Sequence, residues 1–349
     1  VVSYNLSSIH DYTIFPQRLL TASASPFHFQ HDLDTARVPA TISYGKRQHV
    51  PLAHFFATTN TVAFLIIKDD VLVYEQYFKG FAPSSMSMSF SMTKAVLSML
   101  IGCAIDDGSL HSIHQPVTDF VPELAPTPYG TVTIRHLLQM TSGMRYTESD
   151  NPFGIHPRFY YTQHLEDAII TLRWKKAPGT AFAYQSGNFA LLGLLLSRAL
   201  HPQTLTAYMQ ERLWEPLGME FDGSWSLDHA PDGIEKTWCC LSATARDFAK
   251  LGRLYLQKGM WNGIQILSPR WIAQSTRVET TAGSVRHYQY GWWIMSETSG
   301  DFRAEGHLGQ FLYVNPAKGV IIVRLGTSRG GVKWAEWKDV LTRLAAEVR

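Results

Sequence analysis

Residues 91–107 read Ser91-Met92-Thr93-Lys94-Ala95-Val96-Leu97-Ser98-Met99-Leu100-Ile101-Gly102-Cys103-Ala104-Ile105-Asp106-Asp107, and Gly108 follows. The run is apolar almost all the way round a helical wheel. A helix on a protein surface keeps a polar face, so this one is expected in the middle of the molecule, ended by Gly108. Whatever flanks it in sequence must wrap around it in space.

Upstream, Thr61–Lys68 and Val71–Phe78 are β-prone runs split by Asp69-Asp70, which signals a hairpin. The first sixty residues read as irregular and rich in aromatics. Downstream the pattern turns helical: Ile134–Met140 capped by Thr133, Gly187–Leu200, Thr204–Trp214, a helix opened by Thr244 and Asp247, and another begun by Ser268-Pro269. Strand patterns return at Tyr288–Met295, Phe302–Glu305, Gln310–Val314 and Val320–Leu325, with a turn at Asn315-Pro316 and Gly319. A helix from Val332 finishes the chain. Short turns between the late strands require antiparallel pairing, because parallel neighbours need long crossovers. The expected fold is therefore α/β of the α+β kind, an antiparallel sheet flanked by helices, with the early hairpin pairing with the late meander. Residues 1–90 and 265–349 would build that α/β domain, 1–60 being its irregular extension. Residues 91–264 would be an inserted, mostly helical domain. A doubly wound parallel sheet is disfavoured.

Composition removes several classes. Of 349 residues, 45% are hydrophobic and 17% charged, which excludes wholesale disorder. Lys and Arg number 31 against 29 acidic residues and are scattered, so nucleic acid is not an expected partner. No apolar run approaches the roughly 18–20 residues of a membrane span. Three cysteines cannot make a disulfide scaffold. Cys103 sits in the apolar helix and is expected to be inert, and the adjacent Cys239 and Cys240 do not suit zinc. The close histidine pairs, His28/His31 and His111/His114, lack a helical setting and a matching carboxylate, so no metal is expected. Neither a G-x-G-x-x-G nor a P-loop occurs, so no nucleotide cofactor is expected either. The chain opens on Val1-Val2 without a methionine, which hints at removal of a leader.

A serine hydroxyl attacks a carbonyl only when a base takes its proton. Ser-x-x-Lys occurs at Ser43/Lys46 and at Ser91/Lys94. The first lies in SYGKRQHVP, whose glycine, polar residues and proline indicate a loop that would not hold the lysine over the serine. The second stands at the head of the buried helix. Residues three apart share a helix face, and apolar surroundings lower a lysine's pKa from its ordinary ~10.4. A helix N-terminus also offers free N–H groups to developing negative charge. A rival, Gly326-Thr327-Ser328-Arg329-Gly330, fits G-x-S-x-G between a strand and a helix. That arrangement needs a histidine later in the chain, and His307 is the last one. It is read as a strand-to-helix turn.

Three motifs stand in order: Phe90-Ser91-Met92-Thr93-Lys94, Tyr184-Gln185-Ser186-Gly187-Asn188 and Gly306-His307-Leu308-Gly309-Gln310. Together they resemble the serine β-lactamase and penicillin-binding-protein superfamily, in its class C-like branch of esterases, D-aminopeptidases and 6-aminohexanoate-dimer hydrolases. TIRHLLQMTSGM at 133–144, PLGM at 216–219, SATARDFAKLG at 242–252 and GHLGQFLYVNP at 306–316 also look familiar, and the likeness runs from about residue 60 to 349. It implies a helical domain beside an α/β domain, with the nucleophile at their seam. By motif, Ser91 would be the nucleophile and Lys94 with Tyr184 would share the proton work, titrating as a pair. Which of the two takes the serine proton is left open. The backbone N–H groups of Ser91 and Gln310 would form the oxyanion hole. Ser186, His307 and Gly309 would bind substrate.

The departures from the pattern bear on substrate. Ser186 replaces the usual asparagine, His307 replaces a fixed lysine cation, and Leu308 lacks the hydroxyl that helps hold a penicillin carboxylate. Weaker anion recognition implies a small uncharged ester or amide. The alternatives are a β-lactamase or D-alanyl-D-alanine peptidase, or a catalytically silent ligand-binding or structural homologue. No cofactor is implied, and the resemblance to cell-wall enzymes suggests export to the periplasm of a bacterium, with the cytoplasm as the alternative. Tyr146, Phe153, Phe159, Tyr160 and Tyr161, between Met144 and Trp174, are candidates for the acyl-pocket wall. Trp292 and Trp293 should face opposite sides of a strand.

Overall fold

A computed structural model describes residues 7–149 and 151–349, with side chains described at all of these except 35, 128 and 129. Val1 and Val2 lie outside the described residues. The first sixty residues are more regular than expected. They hold β1 (Gln17–Leu20), β2 (Gln30–His31), the hairpin β3 (Thr41–Tyr44) and β4 (Arg47–Pro51), and α1 (Leu52–Thr58). The correction has a physical reason. These strands are too short and too exposed to show an alternating pattern, and α1 buries only Leu52, Phe55 and Phe56, at i, i+3 and i+4. Ser43 and Lys46 belong to the β3–β4 hairpin, with Lys46 in its turn.

The expected hairpin is β5 (Thr61–Lys68) and β6 (Val71–Tyr77). A short β7 (Ser87–Met88) then leads through a 3-10 turn, Phe90–Met92, into α2 (Thr93–Asp106). Every residue of α2 from Thr93 to Ala104 is buried, as its sequence requires. Ser91 itself lies in the 3-10 turn, two residues before the regular helix. The next segments are α3 (Ile134–Leu138), α4 (Ile155–Tyr161), α5 (Leu165–Ile170), α6 (Ser186–Leu200) and α7 (Leu205–Met209). Strands β8 (Gly223–Ser226) and β9 (Leu241–Ala243) pair with each other, β1 adds to β8, and β7 adds to β9. After α8 (Ala245–Leu256) come the small hairpin β10 (Met260–Trp261) and β11 (Ile264–Gln265), and then α9 (Pro269–Thr276). The side chains of Thr133, Thr204, Thr244 and Ser268 cap α3, α7, α8 and α9 as expected.

The main sheet runs in the order β12-β13-β14-β15-β16-β5-β6-β2, with β12 (Tyr288–Gln289), β13 (Trp292–Ile294), β14 (Phe302–Gly306), β15 (Gln310–Asn315) and β16 (Val320–Gly326). Apart from β2 on β6, its pairs are antiparallel, and β16 joins the early hairpin to the late meander. One expected strand, Tyr288–Met295, is two: Tyr290-Gly291 turns the chain back so that Gln289 faces Trp292. Both faces of the sheet are covered, which explains the unbroken apolar runs of β5 and β16. Leu65, Ile67, Ile321 and Val323 face the core that holds α2, α6 and α8, whereas Phe64, Ile66, Val320 and Ile322 face α1 and α10 (Trp334–Glu347). Among the described residues no helix is long and apolar enough to cross a membrane.

Candidate active site

The Phe90–Met92 turn is fixed from two sides. Ser89 N–H donates to the Leu241 carbonyl of β9, 2.9 Å away, and β14 and β15 pack against the turn. Phe90 takes φ +47°, a conformation uncommon for a residue with a side chain, and its ring meets His307 edge-on at 5.5 Å. The first and third motifs are thereby brought together.

Lys94 Nζ donates to Ser91 Oγ at 2.8 Å and to the Trp238 carbonyl at 2.9 Å. It lies 5.0 Å from the centre of the Tyr184 ring, and that ring stacks on Trp293 at 5.6 Å. The lysine is buried, and that burial pulls its pKa down to about 8, opposed by the Glu148 carboxylate. Tyr184 shifts the other way. Burial raises its pKa well above the ordinary phenol range, Glu148 adds to the rise, and a hydrogen bond with Ser91 opposes it. The two groups are thus pushed toward their neutral forms, an amine and a phenol, by the same low-dielectric surroundings. A neutral amine 2.8 Å from a hydroxyl can accept its proton.

The remaining expected residues are distributed less uniformly. Ser186 opens α6, but its hydroxyl is enclosed and has no hydrogen-bond partner among the described residues, while its N–H is held by the Glu148 carboxylate. His307 is exposed at the start of the turn between β14 and β15. Gly309 is buried in that turn with φ +84°. Its carbonyl accepts from Arg324 Nη1, and so does that of Leu308, at 2.6 and 3.0 Å. Arg324 also donates to the carbonyls of Thr59 and Ser328 and to the Thr61 hydroxyl. The Gln310 side chain bonds Gly326 through both its amide N and its O, and it also reaches the His307 carbonyl. Arg324 and Gln310 thus fix the path of the third motif from beneath.

Glu148 was not marked by the sequence. It sits in the loop after α3, with Oε2 3.1 Å from His156 Nδ1, the same nitrogen that lies 3.0 Å from the Tyr146 hydroxyl. Gln185 pins this loop by donating to the carbonyls of Met144 and Tyr146. Gly187 has no room for a β-carbon, which would lie 2.7 Å from Met144 Sδ and 2.8 Å from the Tyr146 ring. Of the aromatic candidates, Tyr146, Phe159 and Tyr160 are buried, Tyr161 is half-buried, and Phe153 is 87% exposed. Trp292 is in the core while Trp293 faces Tyr184, so the alternation holds. Cys239 and Cys240 are joined as a disulfide in the turn that follows the Trp238 carbonyl. Cys103 is buried and its thiol is pushed up to about 12 by desolvation.

The competing serines are engaged structurally. Ser43 Oγ accepts from the His49 N–H in the β3–β4 hairpin. Ser328 Oγ accepts from Asn60 and from the Gly330 N–H, in a turn between β16 and α10.

Residues 53–346 match the Beta-lactamase family. A 6-aminohexanoate-dimer hydrolase of Paenarthrobacter ureafaciens is 27% identical over 310 residues, covering 82% of this chain and 75% of that protein. Among solved structures, a Bacillus anthracis protein provisionally assigned as a 6-aminohexanoate-dimer hydrolase superposes with TM-score 0.85 at 22% identity, covering 99% of this chain and 93% of that one. A family VIII carboxylesterase superposes with TM-score 0.62 at 17% identity, covering 85% and 94%.

Proposed function

The chain belongs to the Beta-lactamase family of hydrolases, and from that premise we propose that it cleaves a small uncharged ester or amide through an acyl-enzyme on Ser91. The observation that carries the reading is the 2.8 Å contact between Ser91 Oγ and a buried lysine whose pKa is drawn down to about 8. Neutral Lys94 accepts the Ser91 proton as Oγ bonds to the substrate carbonyl carbon. The backbone N–H groups of Ser91 and Gln310 hold the resulting oxyanion. Tyr184, kept protonated by burial, gives its proton to the departing alcohol or amine, and the Lys94 ammonium restores it. The leaving group thus departs with the proton that Tyr184 held, the proton that left serine ends on Tyr184, and Lys94 is neutral again. Water then attacks the acyl carbon, and the same pair moves a proton from water back to Ser91.

Two features support an uncharged substrate. The Tyr184 ring beside Lys94 is stacked on Trp293, and the third motif carries His307 in place of a fixed cation. The relatives' names span an amide and an ester hydrolase, which fits a carbonyl-centred reaction with an adaptable leaving group. Within this reading, residues 91–264 supply the nucleophile unit, and 1–90 with 265–349 supply the sheet.

The test is intact mass after brief exposure to a fluorophosphonate, for wild type and Ser91→Ala. One adduct on wild type and none on the variant is expected. Equal labelling of both would transfer the role to another serine. No labelling of folded wild type would point to a silent ligand-binding homologue.

A further inference from the structure

Behind the loop that carries Tyr146 and Glu148 lies a cavity of about 350 Å³. It is lined by Arg145, Arg158 and Arg173, by the hydroxyl-bearing Thr147, Thr162 and Thr171, and by an apolar floor of Ile155, Phe159, Ala168 and Leu172. No Asp or Glu is among these lining residues. Three separate segments supply the arginines. The antiparallel bridge Met144–Trp174, with Arg145 N–H donating to the Arg173 carbonyl at 2.7 Å, sets two of them side by side, and α4 brings Arg158. Neither Arg145 nor Arg158 has a carboxylate partner among the described residues, whereas most other arginines of the molecule are ion-paired.

Like charges gathered around a concave space raise the local potential and attract an anion. Guanidinium forks match carboxylate and phosphate oxygens, and the floor offers a place for an apolar body. The volume is that of a small-ligand site. We propose that this cavity binds a small organic oxyanion, a carboxylate or phosphate monoester on an apolar group.

The cavity shares its walls with the active site. Along residues 144–148 the side chains alternate: Met144 and Tyr146 pack on Gly187, while Arg145 and Thr147 face the cavity. Phe159 lines the cavity and meets both Tyr146, at 5.3 Å, and Trp238, at 6.1 Å. Trp238 in turn supplies the carbonyl that holds Lys94. An anion seated here therefore lies one ring away from the residue that positions the lysine.

Isothermal titration of the intact protein with phenyl phosphate, benzoate and inorganic phosphate tests this site. The protein is first capped at Ser91 with fluorophosphonate, or carries Ser91→Ala if it does not label, so that the titration reads the cavity whatever the fate of the proposed hydrolase activity. Phenyl phosphate or benzoate should bind at one site, and the affinity should fall as sodium chloride is raised. In Arg145→Gln/Arg158→Gln the dissociation constant should rise at least tenfold, and Arg145→Lys/Arg158→Lys should retain part of the affinity. Both variants are checked for wild-type melting first, since these side chains are exposed. Binding unchanged in the glutamine variant, or no binding of either organic anion to wild type, would overturn the proposal. So would inorganic phosphate binding as tightly as phenyl phosphate, because the apolar floor would then play no part.

Discussion

Gly291 presses directly on the backbone of Lys94. A β-carbon on this glycine would lie 2.8 Å from the lysine's carbonyl carbon and oxygen and from the Ala95 nitrogen. The glycine also holds φ +90° in the turn that joins β12 to β13. The hairpin that carries Trp293 is therefore seated on the helix that carries the lysine, with no side chain between them.

Replacing that glycine should injure the site and the fold together. Gly291→Ala forces both an unfavourable φ and a backbone clash, at a cost of about 1–3 kcal/mol. A lower melting temperature with a kcat reduced about tenfold or more is expected, by calorimetry and ester turnover. Wild-type turnover in the variant would show that the contact does not position Lys94.

The pH dependence of kcat/KM should report the lysine. Burial draws its pKa down to about 8, below its ordinary value, and the proposed mechanism requires the neutral form. Activity should therefore rise with pH through about 8 and level off above it. The Glu148 carboxylate favours the ammonium and holds this pKa up, so Glu148→Gln should move the rising limb to lower pH. A shift to higher pH, or none, would contradict the electrostatic account.

Tyr184→Phe keeps the ring between Lys94 and Trp293 but removes the hydroxyl that, in the proposed mechanism, passes a proton to the leaving group. Turnover should fall by roughly 10²–10⁴. The loss should be smaller for esters whose alcohol is a good leaving group. An equal loss across leaving groups would argue against that proton transfer.

Arg324 holds the carbonyls of the turn that leads into Gln310, whose N–H is half of the proposed oxyanion hole. Arg324→Met leaves the carbonyls of Thr59, Leu308, Gly309 and Ser328 without their donor, each such loss costing about 1–3 kcal/mol. Denaturant melts should show a large destabilisation. In Arg324→Lys, which keeps the charge but not the fork, the protein should fold, with kcat reduced more than KM is raised. A change confined to KM would separate Arg324 from the oxyanion strand.

Patterns that repeat along the chain made the fold legible, and patterns that depend on distant packing did not. The buried helix, the β5–β6 hairpin and the late meander are written in runs of apolar residues. Ser91, Lys94 and Tyr184 can be nominated because each stands in a motif with an order, and the fold brings the three side chains together. Glu148 has no such marker, since a single carboxylate in an aromatic loop acquires meaning only when Ser186 and His156 close on it. Arg324 reads as one charge inside Val-Ile-Ile-Val-Arg-Leu-Gly, and only the fold shows that carbonyl oxygens surround it. The Tyr290-Gly291 turn was concealed because Tyr-Gly is not a usual hairpin pair, and the apolar residues on either side run together as one strand. Ser186 illustrates the opposite hazard: its place in the motif suggests contact with substrate, yet its hydroxyl faces inward.

The pairing of β5 with β16 also sets a schedule for the newborn chain. Lys68 has to wait for Val320 before its strand gains a second neighbour. At about 5–20 residues per second, synthesis of the intervening stretch takes roughly ten to fifty seconds. Throughout that interval one edge of the early hairpin is open, and Ser91 and Lys94 exist without the strands that fix the oxyanion side. The half-made chain therefore carries an unpaired strand edge, and under the proposed mechanism it lacks half of its oxyanion hole until the sheet is complete.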